Sequence, residues 1–299
     1  MARILFLMML PFVCFSQITP REDIPVNNIL KEKENLNTKR KAFYNLDEIK
    51  VRWKKAALEN CPGVPCVVAP SFTSGTSTVS AVDGNSYETV AIGNQCWMKS
   101  NLRVMNYNNN DPIPDSTNST WGTAIIGART GYDVSVVPLN DYVGTFGYLY
   151  NWYAVNDARK ICPSGWHVPT DAEWTILIQA LDPSQVVNGT IFGTQSNTAG
   201  TVMKSQATNS SFGSGLGWNP ATPTPSPGTN TSGFSALPGG IRFSIGSFGG
   251  FRSEAQFWSA TDDNPNTAIR RKLQFGDGIV YRLGNNQKSI GYSVRCLRD

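Results

Sequence analysis

The stretch CPSGWHVPTDAEW, residues 162–174, decides how the rest of the chain is read. Thr170 with Glu173 three residues later is a capping box, in which each side chain accepts a backbone N–H of the other end of the first turn. Trp174, Leu177, Ile178 and Leu181 then recur at helical spacing and form one apolar face. Asp182 and Pro183 end the helix, because proline has no N–H to continue the ladder. This is the one clearly signalled helix in the C-terminal two thirds of the chain.

Working outward, the signals change to turns and short strands. Asp83 and Gly84 make a turn, Tyr87 to Ile92 alternates as a strand, and Gly93 with Asn94 turns the chain again. Between Ser184 and Ser232 the chain is rich in Asn, Thr, Ser and Gly and closes with ATPTPSPGTN, which predicts a long surface excursion with little regular structure. From Gly233 to Asp299, aromatic and arginine-bearing segments alternate with Gly and Asn turns, as in a closing antiparallel sheet. With 27 Gly, 18 Pro and 8 Trp against only 16% charged residues, helical bundles and coiled coils are disfavoured. The class expected is α+β, with few helices, many short antiparallel strands and long irregular loops.

The N-terminal part is organised differently. Arg3, the apolar run Ile4 to Phe15, and Ser16 before Gln17 read as a signal peptide over residues 1–16. That run is too short to span a bilayer, and the mature chain is expected to have no transmembrane segment. Residues 17–80 read as an N-terminal extension: a polar stretch to Arg40, an amphipathic helix over Asn45 to Asn60, and a linker from Ser71 to Ser80. The main domain is expected over 81–299. Residues 21–60 hold ten Lys or Arg against seven Asp or Glu, whereas 61–299 hold fifteen of each. A neutral main domain and a mixed-sign tether speak against a nucleic-acid partner, which would show a concentrated basic face.

Five blocks recur in a recognisable order: VDGNSYETVAIGNQCWMKSNLR from Val82, FGYLYNWYAV from Phe146, CPSGWHVPTDAEW from Cys162, GFSALPGGIR from Gly233, and FWSAT with the terminal GYSVRCLRD. Together they resemble the Fibrobacter succinogenes major paralogous domain, over about Val82 to Asp299. That family is similar in turn to the formylglycine-generating enzymes, here through HVPTDAEW and GYSVRC, so the resemblance implies a C-type-lectin-like fold. It does not imply their oxidation, which needs a late cysteine pair to hold copper; Cys296 is the single cysteine of the last hundred residues.

After removal of the signal five cysteines remain, and export makes disulfides feasible. Cys162 and Cys296 both fall in family motifs and are paired on that ground. Cys61 and Cys66 could bridge each other, which leaves Cys96 free and, beside Trp97, buried. His167 is the sole histidine and precedes the helix cap, where a hydrogen-bonded structural role is the simpler reading. Asp262 with Asp263, and Asp171 with Glu173, read as turn and cap residues rather than as an acid/base pair. The oxygen-rich loops Asn108 to Asp115 and Thr261 to Asn266 could seat a structural calcium ion, although Asn and Asp beside Pro are also ordinary turn chemistry. No other cofactor is expected.

These residues point to a secreted, non-catalytic recognition module that binds a glycan or a cell-surface protein at the cell exterior. A polysaccharide-active enzyme, a structural envelope component and a loop-diversified ligand-binding protein are the alternatives. The recognition surface is expected between Phe251 and Asn286, where Arg252, Trp258, Asp262, Asn264, Asn266, Arg270, Arg271, Tyr281, Arg282 and Asn285 place planar donors and aromatics among glycine turns. Material recovered from outside the cell is expected to begin at or near Gln17; an intact mass that retains Met1 would contradict export by this signal.

Overall fold

The computed structural model describes residues 72–116, 121–132, 142–184, 189–206, 217–219 and 228–299. The expected signal segment 1–16, the helix at 45–60, and Cys61 and Cys66 lie outside the described residues. Residues 72–299 form one compact unit.

Two antiparallel sheets carry it. The first contains β1 (Thr78–Ser80), β2 (Ser86–Ile92) and β3 (Gln95–Met98), and a two-stranded pair, β4 (Arg129–Thr130) with β5 (Leu149–Tyr150), stands apart from it. Later in the chain β6 (Trp166–His167) joins the first sheet, β7 (Gly193–Ser196) joins the second, and β8 (Gly239–Arg242) with β9 (Phe248–Phe251) forms a separate hairpin. The long strands β10 (Glu254–Asn264), β11 (Thr267–Gln274) and β12 (Val280–Gln287) complete the second sheet, and β13 (Leu297–Arg298) returns to the first. The orders are β1-β2-β3-β13-β6 and β10-β11-β12-β7. The described helices are α1 (Tyr142–Phe146), α2 (Trp152–Val155), α3 (Asp171–Leu181) and α4 (Ala199–Met203). This is the β-rich α+β architecture that the turn-dense sequence predicts.

Helix α3 starts where the capping box places it. The Thr170 hydroxyl accepts from the Glu173 N–H at 3.3 Å, and the Thr170 N–H donates to Glu173 Oε2 at 2.7 Å. Its buried face packs between the sheets: the Trp174 ring centroid lies 4.8 Å from that of Trp97 on β3 and 5.5 Å from that of Phe257 on β10. Phe234 fills the remaining corner of this aromatic cluster.

Two expectations need correction. The stretch expected as a linker to Ser80 contains β1, which pairs Thr78 to Ser80 with Glu88 to Ser86, while the Thr89 hydroxyl donates to Ser77 O at 2.6 Å. Phe72 already packs edge-on against Trp166, with Arg298 3.9 Å above its ring, so the folded unit starts at Phe72. Serine and threonine suit an exposed edge strand as well as a linker, and composition cannot separate the two. Likewise the excursion from 184 to 232 contains β7 and α4. Strand β7 is the polar GTQS, because its side chains meet buried polar partners: Ser196 Oγ donates to Asp182 Oδ2 at 2.6 Å, and Gln195 Oε1 accepts from Arg271 Nε at 2.7 Å.

The second sheet is fixed to α3 by charge. Asp171, the first residue of the helix, accepts Arg271 Nη1 at 2.6 Å, and Arg282 Nε and Nη2 at 3.0 and 2.7 Å. Arg271 is fully buried and Arg282 is 5% exposed. A carboxylate in the first helical turn also faces the positive end of the helix dipole. Removing one member of such a cluster strands buried charge, so Asp171→Ala is expected to lower unfolding free energy by about 3–5 kcal/mol, read as a shift of the urea midpoint. Cys162 and Cys296 are joined by a disulfide across a sequence separation of 134, and Cys96 is free and buried. Non-reducing peptide mapping is expected to recover the linked pair, and the Cys162→Ser/Cys296→Ser double variant to lose about 2–5 kcal/mol.

Candidate functional site

The side chains of β10 and β11 alternate between two destinations. Ala255, Phe257, Arg271 and Leu273 are buried toward α3. Glu254, Gln256, Lys272 and Arg270 take the opposite face, where Glu254 pairs with Gln274, Gln256 with Lys272, and Trp258 with Arg270 across the strands. Tyr281 of β12 stands opposite Lys272 and extends that face. The β8–β9 hairpin forms a wall beside it through Ile241, Phe243 and Gly250, and the space between is a groove of about 320 Å³. Two glycines shape this wall. A Cβ at Gly249 would come within 2.8 Å of the Phe243 ring, and one at Gly250, where φ is +68°, within 2.9 Å of Glu254 Oε2.

Arg270 is the most constrained group in the groove. Its Nε donates to Asn286 Oδ1 at 2.6 Å, and Cζ lies 4.9 Å from the Tyr292 ring centroid. Asn286 cannot turn away, because its Nδ2 donates to the carbonyls of Ala268, Leu283 and Gly284 at 2.9–3.0 Å. Arg270 Nη1 is buried without a hydrogen-bond partner among the described residues, as is Gln256 Oε1. Burial pulls the Arg270 guanidinium below its ordinary pKa, and Tyr292 and Glu254 act the other way. Gln256 Nε2 donates to Glu254 Oε2, while Lys272 Nζ sits 3.7 Å from Glu254 Oε1 and 5.0 Å from the Tyr281 ring centroid. The Tyr281 hydroxyl donates to Asp277 Oδ2 at 3.0 Å, and burial followed by that aspartate raises its pKa.

The surface expected from the sequence is thus divided among several places. Arg270 and Tyr281 reach the groove face. Arg252, at φ +61° in the β9–β10 turn, sends Nε to Gly217 O at 3.2 Å. Trp258 is core: it is fully buried, packs on Tyr292 at 4.5 Å and donates from Nε1 to Tyr150 O. Arg271 and Arg282 are corrected from surface candidates to buried partners of Asp171, because the alternation of β11 and β12 turns them inward. Asp262, Asn264 and Asn266 lie at the β10–β11 hairpin tip, where Asp262 pairs with Lys288 at 3.2 Å and Asn264 Oδ1 accepts the N–H groups of Asn266 and Thr267. Asn285, at φ +57°, donates its N–H to Asp263. Asn266 and Lys288 instead line a second depression of about 510 Å³ with Tyr153, Ile125 and Ile245. Glu254, Gln256 and Lys272 were missed, although Lys272 stands two residues from Arg270 and strand periodicity puts both on one face.

Other candidate chemistry is accounted for by protein partners. His167 has a carboxylate on each ring nitrogen, Asp299 Oδ1 at 2.6 Å from Nδ1 and Glu173 Oε1 at 2.9 Å from Nε2. Burial raises the Glu173 pKa, but the N–H and hydroxyl of Thr170 and the imidazole outweigh it and hold the carboxyl below the usual range. In the two loops considered for calcium, Asp111 is held by Asn109 and Arg159, Asp115 by Arg129, and Asp263 by Thr267 and Asn285. Among the described residues no group of three or more His, Cys, Asp or Glu is arranged to hold a metal ion.

No curated protein and no solved structure matches the chain. The model of the Fibrobacter succinogenes major domain matches residues 90–298, which include the groove, the Asp171 cluster and both disulfide cysteines. With more than half of its length matched, the chain belongs to the Fibrobacter succinogenes major domain family.

Proposed function

We propose that the protein is an exported, non-catalytic recognition module that binds a glycan or protein at the cell exterior through the groove face of β10–β12. One observation carries this reading. The groove gathers Arg270, Lys272, Glu254 and Gln256 on one face beside the Phe243 ring, and under its surface Arg270 Nη1 and Gln256 Oε1 meet no partner among the described residues. Charged and amide groups gathered beside an aromatic ring give a ligand both polar and apolar contacts. A preformed site of a few hundred cubic ångströms with few convergent polar groups is the usual form of a small-ligand pocket. Two antiparallel sheets with short helices and a disulfide also suit a C-type-lectin-like scaffold, on which the loops and sheet faces supply the contacts.

A protein partner has a specific observation in its favour. Ile125 and Ile245 are 80% and 85% exposed and both line the second depression, so an apolar side chain of an envelope partner could seat there. The two readings separate by variant. The Phe243→Ala/Lys272→Ala/Tyr281→Ala protein is expected to keep its melting temperature within a few degrees, since these side chains are partly exposed, and to lose at least about tenfold in binding to envelope preparations and a glycan panel. An Ile125→Ser/Ile245→Ser protein is expected to bind normally. The reverse pattern would move the site to the second depression, and turnover of a polysaccharide abolished by one carboxylate substitution would replace recognition by catalysis.

A further inference from the structure

We infer that the groove takes an acidic glycan, with a carboxylate of the sugar seated on Arg270 and Lys272. This rests on the recognition role proposed for the same groove and names its ligand class.

Three observations lead there. First, the groove has two cations and one anion. Glu254 is already shared, since it accepts from Gln256 Nε2 and faces Lys272 at the loose distance of 3.7 Å. Arg270 has no ion pair among the described residues; its Nε is spent on Asn286, and Nη1 is unpartnered. Arg270 lines the groove, and a guanidinium matches a planar carboxylate better than a hydroxyl. Lys272 is half of a weak, partly exposed pair and can turn from Glu254 to the ligand.

Second, the remaining lining suits a sugar. The Phe243 ring, 41% exposed, offers a flat wall to C–H faces, and the Ser253 hydroxyl, which accepts from Asn219 Nδ2 at 3.1 Å, lines the same groove. Third, an extended acidic peptide that added to the sheet as a strand would need a free edge at β10. The outer edge of β10 is taken: Ser293 N–H donates to Gln256 O at 3.0 Å, Trp258 N–H to Ser293 O at 3.1 Å, and Ala260 N–H to Pro169 O at 2.8 Å. Strand addition, one usual way a sheet binds a peptide, therefore has no place at the β10 edge of the groove.

The test uses the full mature protein and calorimetric titration with galacturonate, glucuronate and mannuronate oligosaccharides, their carboxyl-reduced neutral counterparts, and a polyglutamate peptide. At least one uronate series is expected to bind about tenfold or more tightly than its reduced form, with affinity falling as salt rises. Lys272→Gln is expected to erase most of that difference. Glu254→Gln removes the competing carboxylate and is expected to raise the ratio of uronate to neutral-sugar affinity several-fold, a gain that a purely structural role for Glu254 would not give. Arg270→Met, checked by thermal unfolding because its partner Asn286 is buried, should behave as Lys272→Gln does. Equal affinity for acidic and reduced sugars, or a ratio that Glu254→Gln leaves unchanged or lowers, would overturn the charge assignment while recognition by the groove stands. Preference for polyglutamate would overturn the glycan. Should every probe fail, with the groove substitutions leaving envelope binding intact, the recognition role of the groove falls as well.

Discussion

The Asp171 carboxylate determines what both faces of the second sheet can do. It draws Arg271 of β11 and Arg282 of β12 to the helix side, and because strand side chains alternate, their neighbours Arg270, Lys272 and Tyr281 must take the other face. The groove chemistry is therefore set by a contact behind it. Two guanidinium groups on one carboxylate leave an excess positive charge. It is spread over Gln195 Oε1, the Asp171 carbonyl oxygen and the Phe192 ring, whose centroid lies 4.5 Å from Arg282 Cζ. A charge cluster of this kind is sensitive to loss of a member, because the partners left behind are buried charges.

Arginine serves this fold as core filler in other places too. Arg295 is wholly buried without an acidic partner among the described residues. Its Nη1 donates to the carbonyls of Met98 and Phe234, Nη2 donates to Asn101 Oδ1, and the guanidinium lies 4.4 Å from the Phe234 ring. Burial alone pulls its pKa down to about 9. In a chain with 40% hydrophobic residues, long arginine stems add apolar contact area while their heads satisfy carbonyl groups that loops leave unpaired. An irregular interior built this way has many exacting polar contacts and correspondingly few interchangeable ones.

How much of this the sequence reveals depends on the range of the interaction. The capping box of α3 is legible because Thr170 and Glu173 are local, and the start of β2 is legible because burial follows period two from Ser86 to Thr89, after which Ala91 is exposed and Ile92 buried. The disulfide is legible through the family motifs rather than through spacing. The segment TAIRRKLQ of β11 is not legible in the same way. Arg270 and Arg271 are chemically identical neighbours, and which one is buried depends on Asp171, a hundred residues away, and on a register shift between Ala268 and Arg270. Strand β7 escapes for a related reason: its polar side chains are explained only by the charges they meet. Trp258 shows the same limit from the other side, since an aromatic between small and polar residues suits a binding loop until Tyr292 is seen against it.

The bond between Cys162 and Cys296 has one more consequence, for survival among proteases. It ties the start of the capped-helix segment to the last strand, so α3, β7, the wall hairpin and the long strands all lie on a single covalent ring. A peptide bond cut anywhere on that ring leaves two pieces that cannot drift apart. The aromatic cluster around Trp174 and the charges around Asp171 join those pieces non-covalently as well, so a nicked molecule keeps the contacts that shape the groove. Loops on the ring are thereby free to lengthen, shorten or be cleaved with the frame behind them intact.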